Sequence, residues 1–269
     1  MNTNQYRIGF FGFGHMAKVL FEAIDRARLV PRSHIHFLRR DRAKMKEDEQ
    51  KYQITSTTLP TLVDKSDLIV LACRPQQAEE ALAQLAEIKA LEGKWIVSIL
   101  AGTKIETLQN KILAPVQIAR VMPNIASAVN EGMSILTFGP NCTPEFRGFA
   151  NQLFGSMGQV AELKEELTDI ACGMSGSGPG FVFRLIETMA KTGVEHGIPY
   201  AEALKIAAQT FAGAAELIRK GKLPAELIAQ IATPNGTTQA GFDMMTKTEI
   251  DRALRAVIEA SAQRSKELN

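Results

Sequence analysis

The clearest chemical pattern lies near the start of the chain. Gly12-Phe13-Gly14-His15-Met16-Ala17 reads G-x-G-x-x-A. It follows Tyr6-Arg7-Ile8-Gly9-Phe10-Phe11, which reads as a strand, and opens a helical pattern that runs to about Arg26. A dinucleotide-binding turn requires that context. The first glycine permits the tight turn, the second lets main chain approach a pyrophosphate, and Ala17 keeps the helix near the sheet. Free N–H groups and a partial positive charge at the helix start attract phosphate. Structural glycine-rich turns share the motif, but the position between strand and helix favours a dinucleotide. Gly12, Phe13, Gly14, His15 and Met16 are therefore cofactor candidates. His15 reads equally as a solvent-facing turn residue or as a contact to phosphate or ribose.

The end of the second strand separates NAD from NADP. An acid there accepts from the ribose 2′-OH, whereas a 2′-phosphate needs cations. Leu38 is followed by Arg39-Arg40-Asp41-Arg42. Guanidinium forks pair well with phosphate oxygens. A solvated charge run is the alternative, and Asp41 argues the other way. The balance favours NADP, used as NADPH, with NAD as the second choice and Arg39 and Arg40 as the contacts.

Metal chemistry is not expected. His34 and His36 alternate with apolar residues and point the same way, but no Cys or carboxylate cluster accompanies them, so they read as a polar strand face. Cys73, Cys142 and Cys172 are odd in number and widely spaced in apolar or small-residue company. They read as buried thiols, neither a disulfide framework nor a zinc site. His196 reads as a structural residue at a helix end.

The elements that must position these residues fall into two textures, expected as residues 1–163 and 164–269. In the first, short apolar runs alternate with helical patterns. Strand candidates are His34–Leu38, Asp67–Cys73, Trp95–Ile99 and Val116–Val121, and Gln76–Lys89 has helical spacing. Alternation of this kind implies an α/β fold, a Rossmann-like doubly wound parallel sheet covered on both faces. After about Leu163 the strand signals stop. Tyr200–Lys220, a helix opened by Pro224, and a stripe of Ile250, Leu254, Val257, Ile258 and Ala262 imply an all-helical second part.

Composition sets the outer bounds. Hydrophobic residues at 45% and charged residues at 22% over 269 positions exclude disorder, collagen and a disulfide scaffold. A net charge of +2 gives no large basic excess for nucleic acid or an anionic membrane. No apolar run reaches the ~18 residues of a spanning helix, and the polar stretch Met1–Arg7 is unlike a secretory signal. A cytoplasmic protein with neither nucleic-acid nor membrane partners is expected.

Five further segments matter together: Cys73-Arg74-Pro75-Gln76, Ser98-Ile99-Leu100-Ala101-Gly102-Thr103, Arg120-Val121-Met122-Pro123-Asn124, Gly176-Ser177-Gly178-Pro179 and Thr233-Pro234-Asn235-Gly236-Thr237-Thr238. With the glycine loop, this ordered set closely resembles the pyrroline-5-carboxylate reductases over nearly the whole chain. The M-P-N and G-S-G-P segments at their mutual spacing are far more specific than the loop. The resemblance implies a Rossmann-like domain followed by a helical dimerisation domain. It implies reduction of the C=N bond of 1-pyrroline-5-carboxylate to L-proline by NAD(P)H, the final step of proline biosynthesis. It assigns Cys73, Arg74, Pro75, Ala101, Gly102 and Asn124 to the cofactor. Met122, Pro123, Gly176, Ser177, Gly178, Asn235, Gly236, Thr237 and Thr238 go to the cyclic imine, with Thr238 as the catalytic hydrogen-bonding partner of the ring nitrogen. An intertwined homodimer, often assembled into larger rings, is also implied.

The chain departs from the family pattern in places. Arg74 stands where Lys is usual and His15 where Asn is common. Gly180-Phe181 replaces Ala-Tyr, which removes a phenolic hydroxyl, and Thr233-Pro234-Asn235-Gly236 replaces Ser-Pro-Gly-Gly. Asn tolerates positive φ better than most residues.

The residues themselves support a related chemistry. Three of the segments follow strands, where ligands of doubly wound sheets lie. Pro234-Asn235-Gly236 reads as a turn, with Thr237-Thr238 before a helix beginning near Gln239. Its N–H groups and hydroxyls could take a carboxylate, or simply cap the helix. An iminium is already electrophilic, which fits the lack of an acid/base pair in the helical half. Two rivals remain. A β-hydroxyacid dehydrogenase resembles its relatives in carrying G-x-x-K-x-x-N, but Pro179–Glu187 has Arg184 and Glu187 and neither Lys nor Asn. A catalytically altered nucleotide-binding paralogue is motivated by the unusual substrate loop.

Overall fold

A computed structural model describes residues 3–268. They form two compact units. One contains the residues up to Gly176 together with those from Ala262 on, the other Ser177–Ser261.

The first unit runs β1 (Ile8–Phe11), α1 (His15–Arg26), β2 (Ile35–Leu38), α2 (Arg42–Tyr52), β3 (Thr55–Ser56), α3 (Leu59–Asp64), β4 (Leu68–Leu71), α4 (Ala78–Ala86), β5 (Trp95–Ser98), α5 (Ile105–Ile112), β6 (Gln117–Pro123), β7 (Gly132–Phe138), α6 (Pro144–Gly155), β8 (Gly158–Glu162) and α7 (Thr168–Ala171). One eight-stranded sheet has the order β3-β2-β1-β4-β5-β6-β7-β8. Every neighbouring pair is parallel except β6–β7, which is antiparallel. Strand order reverses between β1 and β4, so the crevice beyond their carboxyl ends is where a doubly wound sheet takes ligand.

Both faces of the sheet are covered. One side is aromatic, with Phe10, Phe13, Phe21, Phe37, Tyr52, Trp95 and Phe149 packed under α1 and α6. The other is aliphatic, with Leu62, Leu71, Leu82, Leu85 and Leu108 under α3, α4 and α5. All four residues of β4 are fully buried, which is why that stretch reads as an unbroken apolar run.

Three local expectations change. His34 lies in a 3-10 turn before β2, and His36 is buried within the strand, so the two do not form a polar strand face. The three cysteines are free but only half-buried. The Cys142 thiol donates to the Ile118 carbonyl at 3.1 Å. Strand structure continues past β6 through β7 and β8, which the sequence pattern does not announce.

A π turn, Cys172–Gly176, follows α7 and is tied to the end of β6. Asn124 Nδ2 donates to the Ser175 carbonyl at 3.1 Å. The compact units divide after this turn, at Gly176–Ser177, beyond the 163/164 line drawn from sequence.

The second unit is all helix: α8 (Gly178–Glu195), α9 (Tyr200–Arg219), α10 (Pro224–Ile231), α11 (Thr237–Lys247) and the first part of α12 (Ile250–Leu268). The glycine-rich stretch does not break this pattern. Gly178 and Pro179 form the first turn of α8, where Pro is tolerated. Helix α12 is continuous, but its residues from Ala262 on cluster with the first unit. There Ala262 and Ser265 are buried, and Ser265 Oγ donates to Asp169 Oδ1 at 2.7 Å.

Candidate active site

A cavity of about 1060 Å³ opens beyond the carboxyl ends of β1, β2 and β4. It is lined by Gly12, Phe13 and Gly14 from the glycine loop, Arg39 and Arg40 after β2, and Cys73 and Arg74 after β4. Gly12 makes the turn at φ +94, and its N–H donates to the Leu38 carbonyl at 2.9 Å. A Cβ there would stand 2.5 Å from the Cys73 nitrogen, so only glycine lets β1 turn this close to the β4 exit. Gly14 is the N-cap of α1 and offers no side-chain cap. The first N–H groups of α1 are thus left for an anion. Phe13 can offer the cavity only its main chain, since its ring is buried among Phe10, Phe21, Phe37 and Tyr52.

The rim is cationic, with Arg39, Arg40, Arg42, Lys44, Lys46 and Arg74 against Asp41 and Glu80. The two arginines at the strand end differ. Arg39 is ion-paired with the buried carboxylate of Asp48, while the Arg40 side chain is 77% exposed and lies 3.6 Å from Glu80. Asp41 is the N-cap of α2, accepting from the Lys44 main-chain N–H at 3.1 Å. That hydrogen bond holds its carboxyl below the usual carboxylate range. The acid that confused the sequence reading is thus engaged by its own helix. Burial pushes the Cys73 thiol up, so it sits at the cavity wall as a neutral group.

Other expected cofactor residues do not line this cavity. His15 is exposed and Met16 packs against the aromatic core. Pro75 begins a 3-10 turn, and Ala101 is exposed. Gly102, at φ +71, faces the end of α12: a Cβ would lie 2.3 Å from the Leu268 carbonyl oxygen. The Asn124 amide is spent on main chain, its Oδ1 accepting from Ala126 and Met133 N–H at 3.2 and 3.3 Å while Nδ2 holds Ser175. Met122 and Pro123 are half-buried at the end of β6, and Gly176 lies against Met122 and Cys172.

In the second unit, Asn235 adopts φ +58 and Gly236 is the N-cap of α11. The helix begins at Thr237, two residues earlier than the sequence reading placed it. Thr238 is therefore inside the first turn and half-buried, with no side-chain cap ahead of it. The free N–H groups and the two hydroxyls occupy one helix start. Ser177 and Ser261 share a hydroxyl hydrogen bond of 2.8 Å.

Sequence reasoning missed Ser56, Thr57 and Thr58, which line the cavity between β3 and α3, and Gln77 opposite. Strand β3 is two residues long, too short to show a period, although its run of hydroxyls was visible.

The site fits a dinucleotide. The helix start is uncapped, a methyl on Gly14 would meet no atom within 4 Å, and cations gather where a 2′-phosphate would lie. Among the described residues no helix is long and apolar enough to cross a membrane.

Residues 165–268 match the model for the pyrroline-5-carboxylate reductase dimerisation family, and residues 7–102 that for NADP oxidoreductase, coenzyme F420-dependent. The pyrroline-5-carboxylate reductase of Methanosarcina acetivorans is 37% identical over 97% of each chain. That of Arabidopsis thaliana is 32% identical over 99% of this chain and 97% of its own. The crystal structure of Plasmodium falciparum pyrroline carboxylate reductase with NADP bound superposes with a TM-score of 0.87, at 26% identity over 99% of both chains. With sequence likeness running through both units, the chain belongs to the pyrroline-5-carboxylate reductase family.

Proposed function

We propose that this oxidoreductase reduces 1-pyrroline-5-carboxylate to L-proline with NADPH, the closing step of proline biosynthesis. One observation carries the reading: the glycine turn opens into a cavity whose rim is built of arginine and lysine. NADPH supplies the hydride, and the protein supplies position and electrostatics. In this reading Gly12, Phe13, Gly14, His15 and Met16 hold the pyrophosphate region and Arg39 and Arg40 the 2′-phosphate. Cys73, Arg74, Pro75, Ala101, Gly102 and Asn124 frame the rest of the cofactor, Asn124 by fixing the turn it is bonded to. The cyclic imine is bounded by Met122, Pro123, Gly176, Ser177 and Gly178. Main-chain N–H groups at Asn235 and Thr237 take its carboxylate, on a turn that Gly236 closes by donating its N–H to the Thr233 carbonyl at 2.9 Å. Thr238 orients the ring nitrogen.

The functional division is 1–163 for cofactor and 164–269 for substrate and dimerisation. A homodimer is supported by the state of the helical unit. Helices α10 and α11 bury no residue, while Phe183, Ile206, Leu223, Ile231 and Met244 are each more than half exposed. So much open apolar surface calls for a second copy. Rings of dimers and a cytoplasmic setting complete the reading. Purified protein mixed with NADPH and pyrroline-5-carboxylate should oxidise the cofactor and form proline. Tight NADPH binding with no turnover would favour the catalytically altered paralogue.

A further inference from the structure

Helix α2 is held to the sheet in an unusual way. Its sequence is mostly charged, and only Asp48 and Tyr52 are buried along it. Asp48 is 5% exposed. A carboxylate so buried is costly unless both oxygens are engaged. Here each oxygen meets a different cation: Oδ1 lies 2.5 Å from Lys18 Nζ, and Oδ2 takes a hydrogen bond from Arg39 Nη1. The arrangement is asymmetric. Arg39 lines the cavity and Lys18 does not. Lys18 leans instead over the rings of Phe13 and Tyr52, at 6.0 and 5.6 Å. Neighbouring Glu49 accepts from Ser56 N–H and Oγ at 3.0 and 3.1 Å, so α2 braces the β3 side of the same cavity.

We infer that Asp48 is a positioning residue for cofactor choice: it holds Arg39 in place on the cavity wall, so that the guanidinium donors it leaves free meet a 2′-phosphate. The inference rests on the NADP reading above. An arginine has five N–H donors, and a single bond to Asp48 leaves several. Fixing the side chain beforehand removes the ordering cost that a mobile arginine meets on binding, a factor of roughly three to ten in affinity. Counting charge alone predicts the opposite sign, because removing Asp48 makes the rim more positive.

The test is calorimetric titration of the full-length protein, without substrate, with adenosine 2′,5′-bisphosphate and with 5′-AMP. Asp48→Asn should weaken the bisphosphate at least about threefold and leave 5′-AMP unchanged. Asp48→Glu, which keeps the charge but displaces the arginine, should behave the same way and covers the case in which Asp48→Asn does not fold. Lys18→Met should keep the preference for the bisphosphate. In an Arg39→Ala background, Asp48→Asn should have no further effect. Equal or tighter bisphosphate binding by both Asp48 variants overturns the inference. So does a matching loss for 5′-AMP or in Lys18→Met, or a persisting loss without Arg39. If the wild-type protein itself does not prefer the bisphosphate, the NADP reading fails, and the inference with it.

Discussion

Two glycines of the loop should fail in different ways when given a methyl group. At Gly12 the backbone sits at φ +94, and a Cβ would stand 2.5 Å from the Cys73 nitrogen and 2.6 Å from the Ala72 carbonyl atoms. Ordinary contact needs ~3.4 Å, so main chain must move by nearly an ångström. That main chain is fixed by the bond from Ala72 N–H to the Phe11 carbonyl at 2.9 Å. A left-handed conformation costs an alanine about 1–2 kcal/mol, and overpacking adds about 1–3 kcal/mol. Gly12→Ala should therefore lower Tm by roughly 5–20 °C at about 2–4 °C per kcal/mol. At Gly14 the methyl meets nothing within 4 Å and the backbone, at φ −86, suits any residue. Gly14→Ala should leave Tm within about 2 °C of wild type. The added methyl would nevertheless project into the space given to the pyrophosphate and weaken NADPH by roughly tenfold or more. Thermal unfolding and NADPH titration of both variants decide the matter. A Gly14→Ala protein that binds NADPH as tightly as wild type would remove the loop from the cofactor site, and a Gly12→Ala protein of unchanged Tm would refute the strain.

Four further outcomes follow from the same geometry. Arg40→Ala should lower kcat/KM with NADPH by roughly tenfold or more and barely change it with NADH, since a charge-assisted bond to phosphate is worth about 1.5–3 kcal/mol; equal losses would show that Arg40 does not read the 2′-phosphate. Thr238→Ala should lower kcat/KM by roughly ten- to a hundredfold with Thr238→Ser retaining more, and unchanged turnover per folded site would take Thr238 out of the reaction. Light scattering at low micromolar concentration should find no active monomer. Burial, helped by the positive charges of Lys65 and Arg7, holds the His36 imidazole below its ordinary value. The folded chain then binds the proton less readily than the unfolded one, so the contribution is complete above about pH 6.5 and fades as pH falls. His36→Gln should accordingly lose less stability than wild type between pH 7.5 and 5.5, as read from denaturant midpoints.

How much of this could be read from the chain depended on whether the cause was local. The turn at Gly12 and the helix after it are set by neighbouring residues, and the buried runs of β1, β4 and β5 carry their environment in their composition. Strand β7 is different. It buries Ser134 and Thr137, and the Thr137 hydroxyl lies 3.3 Å from that of Thr168, so polar residues stand where a pattern search expects apolar ones. Helix α2 shows no apolar stripe because one of the two residues it buries is Asp48. The two arginines after β2 were legible as a pair, but their difference depends on a carboxylate nine positions on. Asn124 carries an amide suited to a ligand, yet its hydrogen bonds go to main chain brought near by folding. The start of α11 moved because Gly236 can cap a helix without a side chain, and Asn235 adopts the left-handed turn before it.

The last residues of α12 give the protein an order of assembly. A chain emerging from the ribosome completes its eight strands by Glu162. The patch around Asp169 and the loop at Gly102 still lack Ser265 and Leu268 at that point. Chains are synthesised from the amino end at about 5–20 residues per second, and amino-terminal domains generally fold first. The nucleotide-binding unit is therefore held several seconds short of completion, until the whole helical unit has been made. A fragment ending at Gly176 would resemble the nascent intermediate more than a finished domain.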